Sequence, residues 1–286
     1  MQPFAEPLSH TLPVREWKAW LRLGFAKEAW GTALVDREHC GPLRVQKPFF
    51  PEGDAVCHVY VLHPPGGLVQ GDSLSIAVTV GQDAHALLTT PAAGKVYRGG
   101  NVPAGQTVVA NVEARGVLEW LPQETIVYRG ARAQLRTRIN LGDDAKVLAW
   151  EMVCLGRPAA GETFDEGECE LQFEVSRNGV PIHIERNHLR GGEPVLQAAW
   201  GLRGFAAMGT MVIFPATLAL LETARVLCHG GEDAALCSAT LVEGALLCRM
   251  LARDGVQVRE RFTRVWEALR PLCLHRPGSA PRIWAT

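Results

Sequence analysis

The chain lacks most of what would mark it as a nucleotide enzyme, a serine hydrolase, a membrane protein or a nucleic-acid binder. It has no apolar run of about 18 residues, so no membrane-spanning helix is expected. Basic and acidic residues nearly balance, 29 against 30, for a net charge of −1, which leaves no electrostatic footprint for nucleic acid or an anionic membrane. No Gly-x-Gly-x-x-Gly opens a helix after a strand. Gly94-Lys95 is followed by Val96, where a phosphate-binding loop needs Ser or Thr. Only 6 serines occur, none in Gly-x-Ser-x-Gly. The 8 cysteines (Cys40, Cys57, Cys154, Cys169, Cys228, Cys237, Cys248 and Cys273) form no Cys-x-x-Cys pair. Met1–Arg15 has no basic segment leading into an apolar one, so no signal peptide is expected. Reduced thiols and a cytoplasmic location follow as expectations.

What is present is strand periodicity. Trp20–Phe25, Cys57–Leu62, Leu74–Val80, Gln134–Leu141 and Glu168–Val175 alternate apolar with polar residues. Turn signals recur between them at Gly81-Gln-Asp, Gly142-Asp-Asp and Asn178-Gly179. This pattern predicts a mainly β body of many short strands, from residue 19 to about 215. Val80–Leu88 echoes Leu141–Ala149, with Val112–Leu118 between them in a related rhythm, a spacing that suits stacked strand pairs in a sandwich or β-solenoid. Beyond Pro215 the pattern changes, and helical segments are expected over about 216–275. Glu232–Arg253 carries apolar residues at helical spacing, with acids at its start and Gly255 past its end; Arg259–Leu269 reads as a second helix closed by Pro271. No linker divides the chain, so residues 19–286 are expected to form one domain behind a flexible tail, 1–18.

One segment stands apart. His63-Pro-Pro-Gly-Gly-Leu-Val-Gln-Gly-Asp72 joins two predicted strands and is followed by Lys95-Val-Tyr97-Arg98. The prolines stiffen the bend and Gly66, Gly67 and Gly71 can adopt positive φ, which fixes Asp72 at a defined surface position, as a binding site or channel mouth requires. Glu151 follows the apolar run Val147–Trp150 and is expected at a buried strand end. A carboxylate there is costly unless paired, metal-bound or wet, and Lys95, Arg98 and Arg157 are its candidate partners. The 9 histidines are scattered. His183 and His188 would face opposite sides of a strand, so a closed metal cage is not expected. A weak site of oxygen ligands, which a borderline ion such as Ni²⁺ accepts, stays open.

Six motifs carry a resemblance: the His63–Asp72 segment, Leu87–Arg98, Glu119–Ile126, Trp150–Pro158, Gly161–Phe164 and Pro281–Trp284. In this order they resemble the UreD (UreH) family of urease accessory proteins. Gly94 stands where a small polar residue is common and Gln70 where glycine is frequent. The resemblance implies a mostly β fold with a few C-terminal helices and no enzymatic activity or tightly bound cofactor. It implies partnership with apo-urease and UreF, and through UreF with the nickel-carrying GTPase UreG. Transient Ni²⁺ would move through a water-filled tunnel toward a urease site whose lysine must also be carbamylated. Asp72 and Glu151 would then mark the metal path, with Lys95, Tyr97 and Arg98 shaping its wall and Glu232–Arg253 and the C-terminus as candidate UreF contacts. Rival readings are a structural adaptor that only reshapes apo-urease and a metal-dependent hydrolase on a β fold.

Overall fold

The computed structural model describes residues 17–229 and 235–285. The strands are β1 (Lys18–Glu28), β2 (Gly31–Cys40), β3 (Arg44–Val45), β4 (Cys57–Leu62), β5 (Ser73–Val80) and β6 (His85–Thr89). They continue as β7 (Gly94–Val96), β8 (Ala104–Val112), β9 (Val117–Leu121), β10 (Thr125–Val127), β11 (Arg132–Leu141) and β12 (Lys146–Leu155). After β13 (Glu168–Arg177), β14 (Val180–Arg190) and β15 (Ala207–Phe214) come helix α1 (Leu218–His229), the hairpin β16 (Leu236–Val242) and β17 (Ala245–Ala252), and helix α2 (Gly255–Leu274).

The chain coils between two sheets. One sheet has the order β14-β13-β11-β8-β5-β1-β2; the other runs β16-β17-β15-β12-β9-β6-β4-β3, with β7 and β10 as a short parallel strip beside β12. The central strands of both sheets are parallel, because each coil returns to its starting sheet in the same direction. The echoed segments are the corners of successive coils. Val80 pairs with Val112, and Val112 with Leu141; Ala86 pairs with Leu118, and Leu118 with Val147. Each corner turns on a left-handed residue at the same place: Asp83 (φ 59°), Arg115 (φ 56°) and Asp144 (φ 56°).

The sheets differ in exposure, and the sequence shows why. In β5 exposed and buried residues alternate through all 8 positions, since one face meets water and the other the core. All 5 residues of β6 are buried, because the second sheet packs against the first on one face and against α1 and α2 on the other. In β12 the residues Val147, Ala149, Val153 and Leu155 point between the sheets, while Leu148, Trp150, Met152 and Cys154 point toward the helices.

The helix expected over Glu232–Arg253 is instead the hairpin of β16 and β17; residues 230–234, including Glu232 and Asp233, lie outside the described residues. Its turn is made by Glu243 and Gly244, both with positive φ, as a tight two-residue hairpin requires. The helix expected over Arg259–Leu269 is α2. It starts earlier, where the Asp254 carboxylate accepts the Gln257 N–H at 2.9 Å, and it runs one turn further with Pro271 inside. β1 begins at Lys18, and residues 1–16 lie outside the described residues.

Candidate functional site

The two motifs that flank β5 and β6 in sequence are joined in space. The Leu68 N–H donates to the Lys95 carbonyl at 2.7 Å, and the Tyr97 N–H to the Leu68 carbonyl at 2.9 Å, so the glycine-rich bend lies along β7. Gly67 lets it lie so close: a Cβ there would sit 2.3 Å from Cε2 of Tyr97. Gly66 (φ 77°) and Gly71 (φ 81°) make the turns at either end. Asp72 is buried and caps its own turn, accepting the Val69 N–H at 2.9 Å on Oδ2. Its charge acts on His63, whose pKa is nevertheless lowered because burial outweighs that attraction.

Beneath the bend is a cavity of about 120 Å³ whose lining includes His63, Gly66, Gly67, Lys95, Trp120 and Glu151. A second, of about 30 Å³, is lined by Thr137, Glu151, Gln172, Glu185 and Thr210 among others. Both are large enough to hold water. Both include Leu135 and Glu151 in their walls, so Glu151 borders each. The two cavities run between the sheets, from the proline-glycine bend to the gap between β14 and β15.

Glu151 sits in mid-strand on β12, not at the strand end expected from sequence, and it interrupts the apolar row Val147–Ala149–Val153–Leu155 that faces the other sheet. Its partners are not Lys95, Arg98 or Arg157. Thr137 Oγ1 donates to Oε1 at 2.5 Å and Trp120 Nε1 donates to the same oxygen at 2.9 Å. Oε2 has no hydrogen-bond partner among the described residues, and what surface the residue retains opens into the cavities. Burial raises the pKa of Glu151, and the two hydrogen bonds offset this only in part.

At the far end Glu185 accepts the Thr210 hydroxyl at 2.9 Å and faces Arg249 at 3.4 Å. His183, buried on the same strand, places Nε2 at 3.8 Å from Glu185 with no hydrogen-bond partner, and burial lowers its pKa. Sequence reading missed Glu185 and treated His183 only as half of a failed metal pair. The available signal was that pairing argument itself: it put His183 and His188 on opposite faces, and His183 is the inward one.

The remaining predicted residues lie nearby but not on this path. Tyr97 meets Tyr128 edge-on at 5.0 Å, and the Arg157 guanidinium stacks on Tyr128 at 4.7 Å while binding Glu162 at 2.6 Å. Arg98 lines a separate polar cleft with Arg132 and Arg190. Among the described residues one grouping brings several ligand atoms together: Glu168, Glu170 and His188, on the outer face of β13 and β14. Arg132, Arg136 and Arg190 already lie against its two carboxylates, at 3.4–3.7 Å. The C-terminal Trp284 packs against Trp150 and Trp266 and donates to Thr89 Oγ1 at 2.8 Å.

No helix among the described residues is long and apolar enough to cross a membrane. The chain matches the family model described as UreD urease accessory protein over residues 18–285. A urease accessory protein UreD of Dechloromonas aromatica is 43% identical over 285 residues, covering 98% of each chain. One of Citrobacter koseri is 40% identical over 98% of this chain and 96% of the relative. One of Saccharophagus degradans is 39% identical over 96% and 95%. The ordered motifs, the coiled two-sheet body and these matches along almost the whole length agree: the chain belongs to the UreD family of urease accessory proteins.

Proposed function

We propose that this protein is a non-enzymatic scaffold of the urease-activation complex and that Ni²⁺ passes through it as cargo. In this reading it binds apo-urease together with UreF, UreF recruits the GTPase UreG, and the ion moves between the two sheets toward urease. The observation that carries the reading is that Glu151 lines two neighbouring cavities, with one carboxylate oxygen left unpartnered among the described residues. His63 lines one end and Glu185 the other. A dication arriving at Glu151 would offset the penalty that burial places on its charged form, because a nearby positive charge stabilises the carboxylate. Sparse oxygen ligands in water exchange a borderline ion readily; a cage of imidazoles and thiolates would retain it.

The test is a urease operon carrying Asp72→Ala, Glu151→Ala and Glu185→Gln here, singly and together, read by urease nickel content and activity. The expected result is an intact accessory complex with nickel loading reduced at least about tenfold by Glu151→Ala, about 1.4 kcal/mol in the ion's interaction at that point. Normal loading with an intact complex rejects the path. The adaptor reading predicts instead that plugging the cavity with Ala93→Phe leaves activation unchanged.

A further inference from the structure

Three cysteines from successive elements lie where α1 meets the β16–β17 hairpin. Cys228 is buried in the last turn of α1, Cys237 is half-buried near the start of β16, and Cys248 is fully buried in β17. The Cys237 thiol donates to Cys228 Sγ at 2.9 Å, closer than sulfurs approach without a specific interaction. Cys248 also bears on the Cys228 thiol, and the close sulfur–sulfur contact is the one with Cys237. The three sulfurs do not close into a cage: the only convergent ligand grouping among the described residues is the distant Glu168–Glu170–His188 set. The arrangement is a close pair, Cys228 and Cys237, with Cys248 as a neighbour. That suits exchange of a bond between neighbours better than capture of a metal, which needs every thiolate to point at one centre.

The surroundings favour a negative charge on the Cys228 sulfur. Arg261 of α2 reaches the end of α1 and donates from Nη1 to the carbonyls of Leu227 (2.6 Å) and Cys228 (3.2 Å). The Cys228 thiol lies well below the ordinary range because Cys237 and Cys248 donate to it, with Arg261 and His229 adding positive charge against the cost of burial. Cys237 and Cys248 are pushed up by the same contacts.

We infer that Cys228 and Cys237 are a reversible oxidative modification site, with Cys228 the attacking sulfur, Cys237 the resolving thiol and a peroxide the oxidant. The Cys228 thiolate attacks one peroxide oxygen and the O–O bond breaks. The departing hydroxide takes up a proton and leaves as water, and Cys228 becomes a sulfenic acid. The Cys237 sulfur then attacks the Cys228 sulfur, the S–O bond breaks, and the hydroxyl leaves with the Cys237 proton as a second water. Two thiols and one hydrogen peroxide give one disulfide and two waters; the sulfurs lose two electrons and the peroxide gains them. The product ties the end of α1 to edge strand β16 and is undone by a dithiol reductant. Cys40, exposed on β2 with no second cysteine beside it among the described residues, is the internal control.

The experiment uses the full-length chain treated with hydrogen peroxide, quenched with iodoacetamide and digested without reduction for mass spectrometry. The expected result is a cross-linked peptide pair holding Cys228 and Cys237, lighter by two hydrogens, with free thiols falling from 8 to 6 and restored by dithiothreitol. In Cys237→Ser, Cys228 stops at the sulfenic acid and is labelled by dimedone. Oxidation of Cys40 while Cys228 stays alkylated overturns the inference, as does a bridge from Cys228 to Cys248. The wild-type map needs no variant, so it holds even if Cys237→Ser folds poorly.

Discussion

Glu151 is the residue on which the conduit reading turns, and its two oxygens divide the work. One accepts both hydrogen bonds that hold the side chain; the other faces the cavities. Glu151→Gln keeps a carbonyl oxygen in the place of Oε1 and removes the cost of holding a charge between two sheets. The variant is therefore expected to match or exceed the wild-type melting temperature while nickel loading of urease falls. A drop of several degrees in calorimetry would mean that the carboxylate serves the fold and not the ion. Gly67 supports a second residue-scale prediction. Gly67→Ala places a methyl group 2.3 Å from the Tyr97 ring, which rests between Gly67 and Tyr128. The bend must lift away from β7, at a cost of about 1–3 kcal/mol read by urea denaturation. Tyr97→Leu in the same chain should recover part of that loss. Asp72 was legible as a fixed carboxylate because glycines and prolines announce a rigid bend. That it spends one oxygen capping its own turn was not legible, since Asp is equally at home as a cap and as a ligand.

At the scale of elements, α2 is held down by a buried ionic cluster. Arg270 donates to Glu119 (2.9–3.1 Å) and to Glu52 (2.7 and 2.8 Å); Glu119 also accepts from Trp266 at 2.7 Å and pairs with His85 at 2.7 Å. Arg270→Met leaves both carboxylates without their cation and is expected to cost about 3–5 kcal/mol, measured by chemical denaturation. The same cluster sets an acid limit. Burial pushes the Glu119 carboxyl up, but the His85 hydrogen bond and charge and the Arg270 guanidinium overcome it and hold the pKa at about 2, below its ordinary 4.5. A depressed pKa stabilises the fold fully above about pH 4.5 and progressively less as the pH falls toward 2, by up to about 3 kcal/mol. Melting temperatures followed from pH 6 to 3 should fall steeply in the wild type and more gently in Glu119→Gln; parallel curves would assign the acid limit to other groups. The misread element lies on the same sheet. β17 is buried at most of its positions because helices cover its outer face, so its apolar run carries no alternation, and its Leu and Met residues fall at helical spacing by coincidence. Strands with a wet face, such as β5 and β13, were legible by alternation; of the covered strands, Cys57–Leu62 and Val147–Trp150 were read as strands and β17 was not.

For the whole molecule, the coil is the feature the sequence announced best, because each corner needs the same left-handed residue at the same step and so leaves a repeat. On the open face of the first sheet, Arg138 of β11 and Arg186 of β14 flank Glu174 of β13 at 3.2 and 2.8 Å, and Arg132 and Arg190 flank Glu168 in the same way. Such exposed pairs contribute about 0–1 kcal/mol each, so stability must come from the layers beneath. β6, β9 and β12 lie in mid-sheet with the core on one face and α1 and α2 on the other, whereas β2, β3, β14 and β16 are sheet edges. Local opening follows burial and hydrogen-bonding, so native-state hydrogen exchange should rank the strands. Amides of Leu87–Thr89, Leu118–Leu121 and Leu148–Val153 should exchange only through global unfolding, and those of β2 and β16 orders of magnitude faster. The ranking bears on the conduit because Glu151 belongs to the slow set. An ion moving past it must then be passed by rotation of side chains and movement of water within a fixed backbone. Fast, local exchange at Trp150–Met152 in the folded protein would instead mean that β12 opens, and a fixed path between the sheets would have to be abandoned.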